Sequence, residues 1–342
     1  MKKKFKIAIV GAGHIAQTFH IPAWVRNKNC EVISLCDKNS LKLRKISKKF
    51  FIKDVYNSID KLLKNENFDI VNISTPPNLH FKNIISSLKF DKNILVEKPF
   101  VLKNKDIKEI NNLVKKKSSY IQCALHQRFR PISKIIKEVI NKNRIGKIYY
   151  INVVHRRFRS IPNQSEVFSD KKCSGGGPLI DLGSHYFDLI AWILGFPKIR
   201  KANCKISKQI FTSHKMKKYL PFKKFSNEES AFGNITLQNE TYINFEMSYA
   251  LNTKQEDTKI EFFGTKGLIT WPKKEYYVLE KNNLINKKFK VSNNLASDEQ
   301  VKEFLENLNK TILEKKKLNK KNLKEYDYIV KLIDLLYNIS KK

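Results

Sequence analysis

Hydrophobic and polar positions divide this chain into two regimes. In the first 125 residues, short continuous apolar runs alternate with stretches whose apolar residues recur every three to four positions. The runs Phe5–Val10, Glu31–Cys36, Phe68–Ser74, Asn93–Val96 and Tyr120–Leu125 predict buried strands, and Leu41–Phe50, Asn78–Phe90 and Asp106–Lys117 predict the helices between them. Strand–helix alternation implies a parallel sheet wound on both faces. After a helix at Ile132–Asn143 the period changes. Lys147–Phe158 alternates as one long strand, and Arg159–Cys173 reads as a loop leading to a helix around Asp181. Further strands are predicted at Ile199–Ile206, Ala231–Leu237, Tyr242–Leu251, Lys259–Phe263, Leu268–Trp271, Tyr276–Leu279 and Lys288–Val291, and helices at Asp298–Glu314 and Asn322–Ile339. The expected fold is therefore α/β plus α+β. A doubly wound domain spans residues 1–125, and a domain on an open, mostly antiparallel sheet spans 126–342, its last two helices free to pack back on the first domain.

The first strand runs into Gly11-Ala12-Gly13-His14-Ile15-Ala16. A strand, then G-x-G-x-x-G/A, then a helix is the Rossmann fingerprint for a dinucleotide pyrophosphate: one glycine for the turn, one for close approach, and a helix N-terminus for the anion. The second strand ends in Asp37, 21 residues after Ala16, where a carboxylate would hold ribose hydroxyls. That choice puts NAD ahead of NADP, whose extra phosphate would meet a negative charge. The other strand ends carry Ser74-Thr75-Pro76 with His80 beyond, and Glu97-Lys98-Pro99. Ligands bind beyond the carboxyl ends of such strands. The candidate cofactor contacts are thus Gly11, Gly13, His14, Ile15, Asp37, Ser74, Thr75, Pro76, His80, Glu97 and Lys98. Lys98 can also stabilise negative charge on a substrate oxygen.

Further on, GGGPLIDLGSHYFD at Gly175–Asp188 places Asp181, His185 and Asp188 at i, i+4 and i+7 on one helical face. An imidazole within reach of a carboxylate is the material of a general base and its orienter; a buried histidine with a structural partner is the competing reading. His155-Arg156-Arg157-Phe158-Arg159 clusters arginines, and an anionic substrate group or a cofactor phosphate is the ligand expected there, at Arg156, against a solvated strand end as the alternative.

Composition narrows the function classes. The formal charge is +35, from 67 basic against 32 acidic residues, yet only nine of the basic residues are Arg and the lysines are spread along the chain. A dedicated nucleic-acid surface concentrates charge on one face and favours Arg, so specific nucleic-acid binding is not expected. Five cysteines without a CxxC pair suit buried positions in a reducing cytoplasm. No apolar run approaches the ~18 residues of a membrane span. No metal site is expected.

With these motifs in place, the chain resembles the Gfo/Idh/MocA oxidoreductases, the family of glucose–fructose oxidoreductase and inositol dehydrogenase. The likeness rests on GAGHIA, STPPNLH, EKP, the Arg128-Phe129 pair, GGGPLIDLGSHYFDL and FFGTKGLI. It implies Lys98, Asp181 and His185 as catalytic residues and a cis peptide before Pro99; the substrate contacts expected are Arg128, Asp181 and His185, with Arg156 added from the arginine cluster. It also implies hydride transfer between NAD and a secondary alcohol of a sugar or cyclitol, and a homodimer or homotetramer formed through the second sheet. His126-Gln127 stands where many members carry Asn. A nucleotide-sugar dehydrogenase, an imine or pyrrole reductase on the same scaffold, and a non-catalytic NAD-binding sensor are the alternatives.

Overall fold

The computed structural model describes residues 4–64, 67–162, 166–211, 213 and 225–341. They form two compact units, one of Met1–His126 with Leu295–Val330 and the other of Gln127–Asn294 with Lys331–Lys342.

In the first unit, β1 (Phe5–Val10), β2 (Cys30–Cys36), β3 (Asp54–Tyr56), β4 (Ile70–Ile73), β5 (Asn93–Glu97) and β6 (Ile121–Ala124) make a six-stranded sheet in the order β3-β2-β1-β4-β5-β6. Every pair is parallel. The chain order reverses between β1 and β4, which opens a crevice at their carboxyl ends. Helices α1 (Ile21–Arg26), α2 (Ser40–Phe50), α3 (Ile59–Lys64), α4 (His80–Lys89) and α5 (Asn104–Val114) connect the strands. Near-continuous apolar strands such as Ile7-Ala8-Ile9-Val10 are buried on both faces, as a covered parallel sheet requires. One departure from the expected helix is a π-helical turn at Ala16–His20 just before α1.

The second unit opens with α6 (Pro131–Asn141) and β7 (Ile148–Arg156). Where the sequence predicts only a loop, α7 (Glu166–Ser169) and α8 (Lys171–Ser174) form, the latter capped by the Asp170 carboxylate on the Lys172 amide. Helix α9 (Pro178–Leu194) follows, then β8 (Ile199–Ser207), β9 (Ser230–Leu237), β10 (Tyr242–Ser248), β11 (Asp257–Gly264), β12 (Gly267–Trp271), β13 (Glu275–Glu280) and β14 (Asn283–Lys288). The eight strands run β14-β13-β12-β11-β7-β10-β9-β8, and the β10–β7 pair alone is parallel. The last strand lies earlier than the pattern suggests. Lys281 and Asn282, both at positive φ (46° and 64°), make a two-residue hairpin turn from Glu280 to Asn283. No glycine marks that turn, so the sequence hides it.

Two C-terminal helices, α10 (Ala296–Leu308) and α11 (Ile312–Ile339), end the chain. Phe304 and Leu305 of α10, and Leu323 and Tyr326 of α11, join the core of the first unit.

Candidate functional site

In the first unit the site is built at the β1–β4 crevice. Gly11 donates to the Cys36 carbonyl at 2.7 Å and has φ +98°. A Cβ there would stand 2.6 Å from the Ser74 carbonyl group, so only glycine permits this turn. Gly13 has nothing within 4 Å of where its Cβ would be, which leaves open space above the backbone. His14 is exposed and Ile15 half-buried beside it. Asp37 closes the turn from below: Oδ2 accepts the Ala12 amide at 2.9 Å, Oδ1 accepts the Asn39 amide at 3.0 Å, and Lys42 lies 3.7 Å away. This open glycine turn with a carboxylate at the next strand end fits a dinucleotide.

The β4 end is held from behind. Trp24 donates to Asn72, and Asn72 donates to the Ser74 hydroxyl at 2.9 Å. Asn83 donates to the Thr75 hydroxyl at 3.0 Å, and Pro76 is half-buried. His80 departs from the expected ligand contact because it points inward. It is fully buried, with Nδ1 2.8 Å from the Pro99 carbonyl and Nε2 2.9 Å from that of Thr75, and burial lowers its pKa. Glu97 is also turned in. Its Oε1 meets His20 Nε2 at 2.7 Å and its Oε2 accepts the Lys98 amide at 3.0 Å. Burial alone would raise the Glu97 carboxyl, but His20, with His126 and Lys98, brings it down to about 2. His20 comes from the π-helical turn, so that irregularity supplies the partner. His80 and Glu97 therefore brace the Lys98-Pro99 segment, whose peptide bond is cis as the resemblance implies.

In the second unit the site gathers around the start of α9. Glu228, buried, accepts the Gly177 and Leu179 amides at 2.9 and 3.3 Å and the Tyr337 hydroxyl at 2.6 Å. It thus satisfies donors that a helix N-terminus leaves open. Burial pushes its carboxyl pKa up and these donors hold it back. The second and third glycines of the run are required by this contact. A Cβ at Gly177 would lie 2.1 Å from the Glu228 carbonyl oxygen, and one at Gly176 2.0 Å from the Tyr337 hydroxyl.

Asp181 follows one turn later and is buried, whereas His185, a turn further, is half-buried. The buried Tyr249 donates to Asp181 Oδ2 at 2.6 Å. His155 Nδ1 lies 2.9 Å from the Tyr186 hydroxyl and 3.2 Å from that of Thr258. Burial and then Arg157 drive the His155 pKa down to about 4, against the pull of Asp181 and Glu256, so the ring is neutral. Asp188, third on the face, takes a bidentate contact from Arg128 at 2.8 and 2.5 Å.

Arg156 is not brought to this group. Neighbouring strand residues point to opposite faces. His155 faces α9, so Arg156 faces away, and there it makes a bidentate pair with Glu246 at 2.6 Å. Tyr249, His155 and Glu228 are the residues that motif reading misses. For the first two the signal was the strand parity: Ile151, Val153 and His155 share one face, as do Phe245, Met247 and Tyr249.

Residues 5–125 match the family described as "Oxidoreductase family, NAD-binding Rossmann fold", and residues 134–270 match the GFO/IDH/MocA C-terminal domain. A D-glucoside 3-dehydrogenase of Escherichia coli is 26% identical over 264 residues, 76% of this chain and 75% of the relative. Relatives from Synechocystis and Formosa agariphila are matched over only 54% and 65% of their own lengths. Among solved structures, an oxidoreductase from Agrobacterium radiobacter in complex with NAD+, L-tartaric acid and magnesium superposes with a TM-score of 0.79 at 17% identity, covering 99% of this chain and 97% of that one. The myo-inositol 2-dehydrogenase of Lactobacillus plantarum gives 0.76 at 16% identity, covering 99% and 98%. These two likenesses concern the fold. No helix among the described residues is long and apolar enough to cross a membrane. Through both of its domains, the chain belongs to the GFO/IDH/MocA oxidoreductase family.

Proposed function

We propose that this protein is an NAD-dependent dehydrogenase acting on a secondary alcohol of a sugar or cyclitol. The observation that carries the reading is the α9 face, where His185 stands one turn after a carboxylate held by a buried phenol. His185 takes the hydroxyl proton as general base, and Asp181 orients it or holds a neighbouring hydroxyl. Lys98, on the segment braced by Glu97 and His80, stabilises developing negative charge on a substrate oxygen. Gly11, Gly13, His14 and Ile15 receive the dinucleotide phosphates, Asp37 the adenosine ribose, and Ser74, Thr75 and Pro76 flank the cofactor. Bound NAD⁺ supplies the hydride acceptor.

The relative named as a D-glucoside 3-dehydrogenase supports the substrate class. The sheet face opposite α9 supports a subunit contact. It carries stacked rings (Tyr150 with Tyr242 and Phe263, centroids 6.2 and 5.2 Å apart) beside an Asn244–Asn152–Glu261 ladder. Sedimentation velocity tests that assembly.

The activity is tested by NADH absorbance with NAD⁺ and a panel of glucosides, free sugars, inositols and nucleotide sugars, beside Lys98→Ala and His185→Ala. Substrate-dependent reduction that both variants lose, with NAD⁺ binding retained, is the expected result. Tight NAD⁺ binding without turnover across the panel overturns the reading in favour of a sensor.

A further inference from the structure

The arginines around the second-unit site divide by what their guanidinium groups meet. Arg128 is paired with Asp188 and Arg156 with Glu246. Arg157 reaches Glu256 at 3.4 Å and Thr258 at 3.1 Å. Arg159 donates to the Phe158 and Leu251 carbonyls and to Asn252. Arg130 differs from all four. It is half-buried, its hydrogen bond is a long one of 3.4 Å to the Gln127 side-chain oxygen, and its guanidinium lies over the Trp271 ring at 5.1 Å. No carboxylate among the described residues pairs with it, and the undescribed stretches of this unit contain neither Asp nor Glu.

A guanidinium withdrawn from water ordinarily gains a counter-charge. Burial lowers the Arg130 pKa, opposed only by the Tyr186 phenol, so the fold gives this cation little compensation of its own. Its surroundings are those of a binding wall. Trp271 is fixed beneath it by a hydrogen bond to Ser133 at 2.9 Å, and the Tyr186 ring stands 5.9 Å from that of Trp271. Tyr186 follows His185 in α9, and its phenol feels both Arg130 and Asp181.

We propose that Arg130 is the anion-recognition residue of the substrate site, and that the substrate is a sugar bearing an oxyanion, either a carboxylate or a phosphate. The inference rests on the dehydrogenase reading above and specifies its substrate. The flat fork of Arg130 suits two oxygens of one such group, and Trp271 keeps the fork in plane. A neutral sugar offers the fork no charged pair of oxygens to engage.

The test is calorimetric titration of the NAD⁺-saturated protein with D-glucuronate, D-glucose 1-phosphate and methyl glucoside, at about 0.15 M salt and again at several times that concentration. The wild type is compared with Arg130→Gln and Arg130→Lys, each checked for an unchanged melting temperature. One of the two anions is expected to bind at least about tenfold more tightly than methyl glucoside, because charge-assisted bidentate contacts are the strong ones. Which anion does so identifies the group. Arg130→Gln removes that preference while leaving methyl glucoside within about twofold, and Arg130→Lys restores part of it. Equal binding of anionic and neutral sugars overturns the proposal, as does a preference that survives Arg130→Gln. A preference that vanishes at the higher salt in every variant also overturns it, since it then comes from the general positive charge. Because these readouts are affinities, they separate from the parent reading. Anion preference without turnover of any sugar removes the dehydrogenase and leaves the Arg130 site, whereas turnover without preference does the reverse.

Discussion

The Tyr249 hydroxyl donates to Asp181 Oδ2 across 2.6 Å in the interior of the second unit. Burial and then the neighbouring carboxylate raise the phenol's pKa well above its ordinary value, so it is a donor at neutral pH. Tyr249→Phe keeps the ring and removes the donor. A buried hydrogen bond to a charged group is worth about 1.5–3 kcal/mol, and denaturant unfolding should show a loss of that size. Turnover should fall by about tenfold or more as Asp181 loses its fixed orientation. NAD⁺ affinity, set in the first unit, should not change; a parallel loss of NAD⁺ binding would show general misfolding instead.

His155 gives the stability a pH dependence of known sign. Its pKa is about 4 in the folded protein against 6.5 for an ordinary imidazole. Between those values the unfolded chain binds a proton that the folded one refuses. The His155 contribution is thus present above pH 6.5 and lost as pH falls toward 4. The slope from one such group is at most about 1.4 kcal/mol per pH unit. Urea midpoints measured across this window should fall with pH, and His155→Gln should flatten that fall. An unchanged slope in the variant would assign the effect to other groups.

The parts of this molecule that were legible in the sequence are those governed by local pattern. Apolar runs gave the parallel strands, and the 3.6-residue period put Asp181 and His185 on one face of α9. The Gly11 turn could be read because its backbone geometry admits a single residue type. What stayed hidden depends on distant partners. Glu228 lies 51 residues from the amide it caps and Tyr337 a further 109 from Glu228, and no spacing rule links them. Glu97 is recognisable as a strand-end residue and His80 as a residue just beyond one, but whether such a side chain faces a ligand or its own backbone is decided by three-dimensional packing. Composition groups Arg156 with its neighbours, although strand alternation separates it from His155.

Gly177 makes a sharp test of the α9 anchor. An added methyl would stand 2.1 Å from the Glu228 carbonyl oxygen, which is backbone and cannot swing aside. Gly177→Ala should cost about 3 kcal/mol or more, in the range of severe overpacking. Glu228→Gln keeps the shape and one acceptor oxygen, and should cost less than half as much. Equal losses in the two variants would mean that the carboxylate, and not the close approach, governs this junction.

Asp37 sets the cofactor preference in the proposed reading. With the carboxylate removed in Asp37→Ser, the ribose loses a charged acceptor and Lys42 loses the anion 3.7 Å away. NAD⁺ should bind about tenfold more weakly, consistent with the loss of a hydrogen bond to a charged group. NADP⁺ should bind more tightly than to the wild type, because Lys42 then faces the added phosphate without competition. Tryptophan fluorescence titrations with both dinucleotides measure the ratio. A ratio unmoved by the substitution would place the adenosine ribose elsewhere.

The Arg128–Asp188 pair separates a structural from a substrate-binding role for Arg128. The Asp188 side chain is 1% exposed and that of Arg128 12%, so the pair is all but withdrawn from water. Removing one partner of such a pair strands the other, at a cost of about 3–5 kcal/mol, whereas replacing both with apolar groups is often neutral. Arg128→Leu should therefore lower the unfolding free energy by about that amount, and Arg128→Leu with Asp188→Leu should recover most of it. Substrate affinity decides the second role. If Arg128 only holds Asp188 in place, the double variant binds sugar as the wild type does. If its guanidinium also meets the substrate, stability returns in the double variant while sugar affinity stays about tenfold down. Unfolding curves and calorimetric titrations on the same three proteins give both answers, and the contrast with Arg130→Gln, for which stability is expected to hold while anion affinity falls, shows whether one arginine or two address the ligand.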